Sequence, residues 1–247
     1  MKVTQISDLH IGLIGQDTNQ VDVRHNFLML LGEVKVYEPD LIVITGDLCF
    51  NDGSLEIYSW IKERMEKLEI PYLIIPGNHD DVAMIKEVFK IEYTQNEEEL
   101  FFARKINKQT LLFLDSSKAT MSGEQLNWLK RQFKQTDERA FVFTHYPPCE
   151  MGVDFMDHKY PFRDSSDLME ILLNCDKQVF LFCGHYHNER MILTKNLSVY
   201  LCPSLIMQIA PNGIEYQVEH HRIGFRNIEF KQDVFKTFVK YLEGKKI

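Results

Sequence analysis

The chain has 247 residues, 45% of them hydrophobic and 26% charged, with a formal net charge of -8. That length buries a sizeable core without staples, and the acidic balance, with no long block of Lys and Arg, excludes tight binding along the backbone of a long nucleic acid. The five cysteines are odd in number and never spaced Cys-x-x-Cys, which excludes a disulfide framework and a thiolate zinc site, and no apolar run approaches the length of a membrane span.

The opening Met1–Ile6 has no charged region followed by a long apolar stretch, so no signal peptide is expected and the protein is placed in the cytoplasm, away from membranes. Val3–Ser7 reads as a short strand that runs directly into Asp8-Leu9-His10. Val23–Tyr37 carries Phe27, Leu28, Leu30, Leu31 and Val34 at helical spacing, and Pro39 stops it. Leu41–Ile44 is a continuous apolar run, as expected of a strand covered on both faces, and ends in Thr45-Gly46-Asp47. Ser54 is a plausible cap for a helix through Ile57, Trp60, Ile61, Met65 and Leu68. Leu73–Ile75 is the next strand. Pro76-Gly77 breaks it and delivers Asn78, His79 and Asp80 at its carboxyl end, where open α/β sheets bind ligands.

Asp81–Phe89 reads as a short helix, Leu100–Ile106 and Thr110–Leu114 as strands about a turn at Asn107-Lys108-Gln109, and Gly123–Phe133 as a helix. Ala140–Phe143 is a strand ending in Thr144-His145. Met151–Ser166 reads as a long surface loop and Leu168–Leu173 as a helix. Val179–Cys183 is a strand ending in Gly184-His185-Tyr186-His187, followed by a hairpin about Lys195-Asn196. Glu215–Phe230 is β-like. Val234, Phe235, Phe238, Val239, Tyr241 and Leu242 predict an amphipathic helix within residues 231–247, serving as core or as the contact of a homodimer. The alternation of strands and helices is that of layered α/β architecture, and the strand-rich last quarter favours two sheets over one doubly wound sheet. No repeat or linker divides the chain, so residues 1–247 are expected to form a single domain.

Five apolar strands end in metal-capable residues: Asp8 and His10, then Asp47, then Asn78 and His79, then His145, and last His185 and His187. A lone His after a strand is more often a core or surface residue than a ligand. The repetition is what points to a site, because strands of one sheet bring their carboxyl ends to one edge. Imidazole nitrogens with Asp and Asn oxygens, and no thiolate, suit iron, manganese, zinc or cobalt. Two such ions about 3.5–4 Å apart repel and need a shared carboxylate. Asp47, alone in its motif, is the natural bridge, and Asn78 offers a neutral oxygen that leaves its metal a stronger Lewis acid.

In order, Asp8-x-His10, Gly46-Asp47, Gly77-Asn78-His79-Asp80, His145 and Gly184-His185-x-His187 resemble the motifs of the calcineurin-like metallophosphoesterases. Within that family the chain is most similar to the class III cyclic-nucleotide phosphodiesterases and related glycerophosphodiesterases, through Thr45–Leu48, Gly53–Tyr58, Ile75–Asp80, Asp115-Ser116, Gly123–Leu129 and Pro203-Ser204. The resemblance implies a four-layer α/β/β/α sandwich of two mixed β-sheets flanked by helices. It implies one metal held by Asp8, His10, Asp47 and His187, and a second held by Asp47, Asn78, His145 and His185. His79 would be the catalytic histidine that binds no metal, with Asp80 placed to orient it. One departure is that Phe50 stands where many relatives carry an acidic residue three positions after the bridging Asp.

The expected chemistry is hydrolysis of a small phosphodiester, 3′,5′-cyclic AMP foremost. A hydroxide held between the metals attacks phosphorus and His79 protonates the leaving oxygen. A glycerophosphodiester or a phosphomonoester is the alternative substrate, and a catalytically silent protein-binding scaffold the non-enzymatic one. His25, His158, His220, His221 and Asp115 belong to no motif and read as surface or structural residues. Arg24, Lys35 and Arg163 are the cations from which a phosphate contact would have to come, and no motif selects among them.

Overall fold

The computed structural model describes residues 1–106, 109–231 and 234–247. In chain order its elements are β1 (Lys2–Ile6), α1 (Val23–Tyr37), β2 (Leu41–Thr45), α2 (Leu55–Glu66), β3 (Tyr72–Ile75), α3 (Val82–Phe89), β4 (Phe102–Ile106), β5 (Gln109–Phe113), α4 (Gly123–Phe133) and β6 (Arg139–Phe143). The second half adds α5 (Asp154–Lys159), α6 (Ser165–Asn174), β7 (Gln178–Cys183), β8 (Met191–Thr194), β9 (Leu197–Leu201), β10 (Gln208–Ile209), β11 (Val218–His220), β12 (Ile223–Lys231) and β13 (Val234–Leu242). Four helices start on side-chain caps. Asp22, Ser54, Asp81 and Ser122 each accept from the backbone N–H three residues on, satisfying a donor that the first turn leaves free. No helix of the described residues is long and apolar enough to cross a membrane.

The strands build two large mixed sheets, ordered β13-β12-β1-β2-β3 and β4-β5-β6-β7-β9-β8, with β10 and β11 forming a small third. β1, β2 and β3 are parallel, as are β5, β6, β7 and β9, while the outer strands pair antiparallel. Period-2 alternation divides the residues of the second sheet between two layers. Phe102, Phe113, Phe143, Phe182 and Tyr200 occupy paired register positions on five neighbouring strands and stack at ring separations of 4.6, 5.2, 5.1 and 5.3 Å. They join the core that includes the first sheet, α1 and α2. The alternate residues Leu112, Val142, Leu181 and Val199 pack instead with Trp128 and Leu129 of α4 and Leu168 and Leu172 of α6. The result is the helix–sheet–sheet–helix sandwich expected from the sequence.

Two stretches depart from expectation. The predicted terminal helix is strand β13, paired antiparallel with β12 from Lys231↔Val234 to Ile223↔Leu242. Its apolar residues satisfy a helical period and a strand alternation equally. Phe235, Thr237, Val239 and Tyr241 alternate toward the protein while Val234, Lys236, Phe238 and Lys240 are exposed, and such β-branched and aromatic residues fit a pleated half-buried surface. Phe235 packs 4.4 Å from the Phe180 ring, closing the sandwich. The expected loop Met151–Ser166 contains α5 and the start of α6. Of the expected turn Asn107-Lys108-Gln109, the first two residues lie outside the described ones.

Candidate metal centre

The motif residues follow five strand ends, but those strands belong to two sheets: β1, β2 and β3 to one, β6 and β7 to the other. The site lies at their junction rather than along the edge of one sheet. Gln5 Nε2 donates to Cys183 O at 3.1 Å, and the His185 N–H donates to both Asp8 carboxylate oxygens at 3.0 Å, tying β1 to the end of β7. After the strands the backbone turns sharply. Asp8, His10, Asp47, His185 and His187 all hold positive φ, between 45° and 67°. Residues other than glycine adopt this conformation at a cost of order 1–3 kcal/mol each, and they keep it only where the surroundings over-determine it. Two motif glycines permit the close approach. A Cβ on Gly77 would stand 2.2 Å from Asp47 Oδ1, and one on Gly184 1.9 Å from Ser7 Oγ.

Two groups of donors converge. Asp8, His10, Asp47 and His187 offer atoms within 4.8 Å of one another, and so do Asp47, His145 and His185, with Asp47 common to both groups. In the first, His10 Nε2 and His187 Nε2 are 3.0 Å apart, His187 Nε2 is 3.3 Å from Asp8 Oδ1, and His10 Nε2 is 3.7 Å from Asp47 Oδ2. In the second, His145 Nε2 is 3.4 Å from Asp47 Oδ1 and 3.1 Å from Asn78 Oδ1. Asn78 therefore reaches the second group. His79 stands at the rim with its side chain 35% exposed, Nε2 3.9 Å from Asp47 Oδ2. The separations within the two groups are those of atoms that share a neighbour at about 2.0–2.2 Å, the usual reach of imidazole and carboxylate to a divalent ion. The donor set fits metal ions.

Burial and neighbouring charge set the protonation states. Burial, followed by the adjacent imidazoles His187 and His145 respectively, pushes His10 and His185 down to about 3. Burial would lower His145 too, but the Asp47 carboxylate and its hydrogen bond hold it up at about 9. Burial acts to raise Asp47 and Asp8, and the surrounding imidazoles overcome it and hold both carboxyls below the usual range. A buried pair of carboxylates faced by the neutral imidazoles of His10 and His185 is what a cation requires, and a cation at the second group would take the place of the proton that Asp47 holds on His145.

Three groups that orient these histidines carry no sequence signal, since each is a backbone carbonyl. Thr45 O accepts from His145 Nδ1 at 2.7 Å, Tyr160 O from His185 Nε2 at 3.1 Å, and Asn51 O from His79 Nδ1 at 2.7 Å. Each fixes which ring nitrogen keeps its lone pair. Asp80 consequently does not have the expected role. Its carboxylate accepts from the N–H groups of Gly77 at 2.9 Å and Leu48 at 3.1 Å and from the Tyr58 hydroxyl at 3.1 Å, bolting the loop after β2 to the loop after β3. Asp80→Ala strands these donors, so it is expected to cost about 2 kcal/mol or more of stability in urea unfolding, whereas a residue acting only on His79 would leave stability unchanged.

The remaining histidines stay apart from the centre. His158 Nδ1 bonds Asp154 O within α5, and His220 lies against Tyr241. Asp115 accepts from the N–H groups of Leu100 and Ser117, a structural role as expected. Arg24 donates to Gly12 O and Arg163 to Lys118 O. Above the centre lies a cleft of about 410 Å³ whose walls include His10, His79 and His187, with no Lys or Arg among the described residues that line it.

The family model of the calcineurin-like phosphoesterases matches residues 1–189 of the chain. A probable cyclic nucleotide phosphodiesterase of Fibrobacter succinogenes is 32% identical over 241 residues, covering 98% of this chain and 94% of the relative. A probable glycerophosphodiester phosphodiesterase of Arcobacter nitrofigilis is 32% identical over 222 residues, covering 85% of this chain and 80% of the relative. Among solved structures, a dimetal phosphatase from Danio rerio superposes with a TM-score of 0.73 at 13% identity, covering 99% of this chain and 97% of that one, a likeness of fold alone.

Proposed function

Because the chain belongs to the calcineurin-like phosphoesterase family, we propose that this phosphoric ester hydrolase uses two metal ions to cleave small phosphodiesters, 3′,5′-cyclic nucleotides foremost. Asp8, His10, Asp47 and His187 would hold one ion and Asp47, Asn78, His145 and His185 the other, each drawn from iron, manganese, zinc or cobalt. Such ions supply Lewis acidity and bring the pKa of water from 15.7 toward ~7. Asp47, with one oxygen toward each group, would keep the pair together. Thr45 O and Tyr160 O hold His145 and His185 in the tautomers that present a lone pair. His79, anchored through Nδ1 by Asn51 O, turns Nε2 toward the cleft, where the ring, carrying a proton on both nitrogens, gives the one on Nε2 to the leaving oxygen.

The observation that carries the diester reading is the cleft without cationic side chains. A monoester dianion profits from an Arg or Lys clamp in addition to metals, and Arg24 and Arg163 are bonded elsewhere. A diester monoanion needs no such clamp. The diesterase names of both curated relatives support the same reading. Under equal manganese loading, kcat/KM is expected to be higher for 3′,5′-cyclic AMP and bis-p-nitrophenyl phosphate than for p-nitrophenyl phosphate. A monoester preference of tenfold, about 1.4 kcal/mol in the transition state, would make the protein a phosphatase instead. Cleavage of a glycerophosphodiester but not of cyclic AMP would move the assignment to the second relative's class.

A further inference from the structure

We propose that Phe50, Tyr160 and Tyr216 form a subsite that selects a nucleobase, and that the phosphate of the same ligand lies over His10, His79 and His187. The inference rests on the metallophosphodiesterase reading for the position of the phosphate. The position of the base comes from the walls of the cleft.

All three aromatic residues line the cleft that opens over the histidines. Tyr160 is 51% and Tyr216 48% exposed. Neither ring is loose. Phe155 of α5 meets Tyr160 at 5.7 Å and Tyr216 at 5.5 Å, each edge to face at 64°. One ring thus holds two others in place, and α5 is placed to do so because Asp157 accepts from the N–H groups of Met151, Gly152 and Val153 and so closes the turn that leads into it. The Gly213 N–H in turn donates to the Asp154 carboxylate, tying the segment before Tyr216 to α5. Phe50 sits edge-on to His10 at 6.3 Å, which places the wall directly beside the candidate metal centre.

Pinned aromatic rings that keep about half their surface in contact with solvent are poised for stacking, since their ordering has been completed before a ligand arrives. The rest of the lining narrows the ligand class. Ile206, Met207 and Ile209 are apolar, and Asn19 and Asn51 are the amides at the cleft. With no Lys, Arg or carboxylate among the described lining residues, the group received there is uncharged, planar and able to hydrogen-bond at its edge. A purine meets each condition. The segments that build the wall, 151–160 and 213–216, lie outside every metal motif; Tyr160 meets the centre through its backbone carbonyl, which accepts from His185 Nε2 and which a change of its side chain leaves in place.

The test is calorimetric binding of adenosine 5′-monophosphate and of glycerol 3-phosphate to manganese-loaded protein. Both are phosphomonoesters of like charge; they differ in the base and in ribose against glycerol, and variants that remove a ring isolate the share of the base. Stacking on an aromatic side chain contributes about 1–3 kcal/mol per base, equivalent to about 5- to 150-fold, so the adenosine monophosphate is expected to bind at least tenfold more tightly. Tyr216→Leu and Tyr160→Leu, which keep apolar bulk and remove the ring, are each expected to reduce that ratio at least fivefold while glycerol 3-phosphate binding changes less than twofold. Equal affinities in the unaltered protein, an unchanged ratio in both variants, or tighter binding of glycerophosphocholine than of the nucleotide would overturn the nucleobase subsite. Circular dichroism confirms that the variants fold. The readout separates the two readings. A protein that prefers monoesters in the hydrolysis panel but keeps the binding ratio has lost the diesterase assignment alone, and an active diesterase with a flat ratio has lost the subsite alone.

Discussion

Replacing Asp47 by Ala is expected to leave the purified protein with less than one tightly bound metal per chain and to lower kcat/KM for a phosphodiester by about 10³-fold or more. The size follows from the position of the side chain. Its two oxygens face the two donor groups, Oδ2 toward His10 and Oδ1 toward His145, and one of them also accepts from the His79 N–H at 3.0 Å. Loss of the carboxylate removes a donor from both groups and the negative charge that would offset two neighbouring cations. Metal ions contribute several kcal/mol of transition-state stabilisation, and each 1.36 kcal/mol is a factor of ten. Asp47→Asn is the companion variant, since it keeps shape and one oxygen while losing the charge. Elemental analysis and the thermal midpoint should be measured together on both. Two metals retained at full occupancy in a folded Asp47→Ala protein would remove Asp47 from its bridging role.

His79→Ala is expected to behave differently. Its metals should remain, because the imidazole belongs to neither donor group, and kcat should fall by about 10²–10⁴-fold, the range of general acid catalysis. The loss should shrink as the leaving alcohol becomes more acidic, because a nitrophenolate departs without a proton and a ribose oxygen does not. Cyclic AMP and bis-p-nitrophenyl phosphate therefore form the informative pair of substrates. An equal loss for both would assign His79 to orienting the phosphate rather than to proton transfer. The Asn51 carbonyl makes the first outcome the expected one. By accepting from Nδ1 at 2.7 Å it holds the ring with Nε2 toward the cleft, and a residue serving only as a steric wall has no need of such an anchor.

Much of this centre was readable in the chain before any coordinates. Asp8, His10, Asp47, Asn78, His145, His185 and His187 stand out because metal chemistry restricts which side chains can serve, and because each follows an apolar strand by one to four residues. Both conditions are local. The same holds for the caps Asp22, Ser54, Asp81 and Ser122, whose oxygens must lie just ahead of their helices. Asp80 shows the limit of that reading. Its neighbour His79 was the obvious partner in sequence, yet its carboxylate is drawn to N–H groups of Leu48 and Gly77 and to Tyr58, and of those three Leu48 comes from another loop and Tyr58 from α2.

By itself, then, the sequence determined the layered α/β class and the identity of the residues gathered at the strand ends, since strand hydrophobicity and ligand chemistry are written in side chains within short windows. The tertiary structure decided that those strand ends come from two sheets and meet at their junction. It decided which backbone carbonyls hold His79, His145 and His185, because every residue carries the same carbonyl and only packing selects one. It decided that Tyr160 and Tyr216, 56 residues apart in number, share the ring of Phe155. It also made Val234–Leu242 a strand, because an apolar pattern that satisfies two periods is resolved only by a partner, here the long edge of β12.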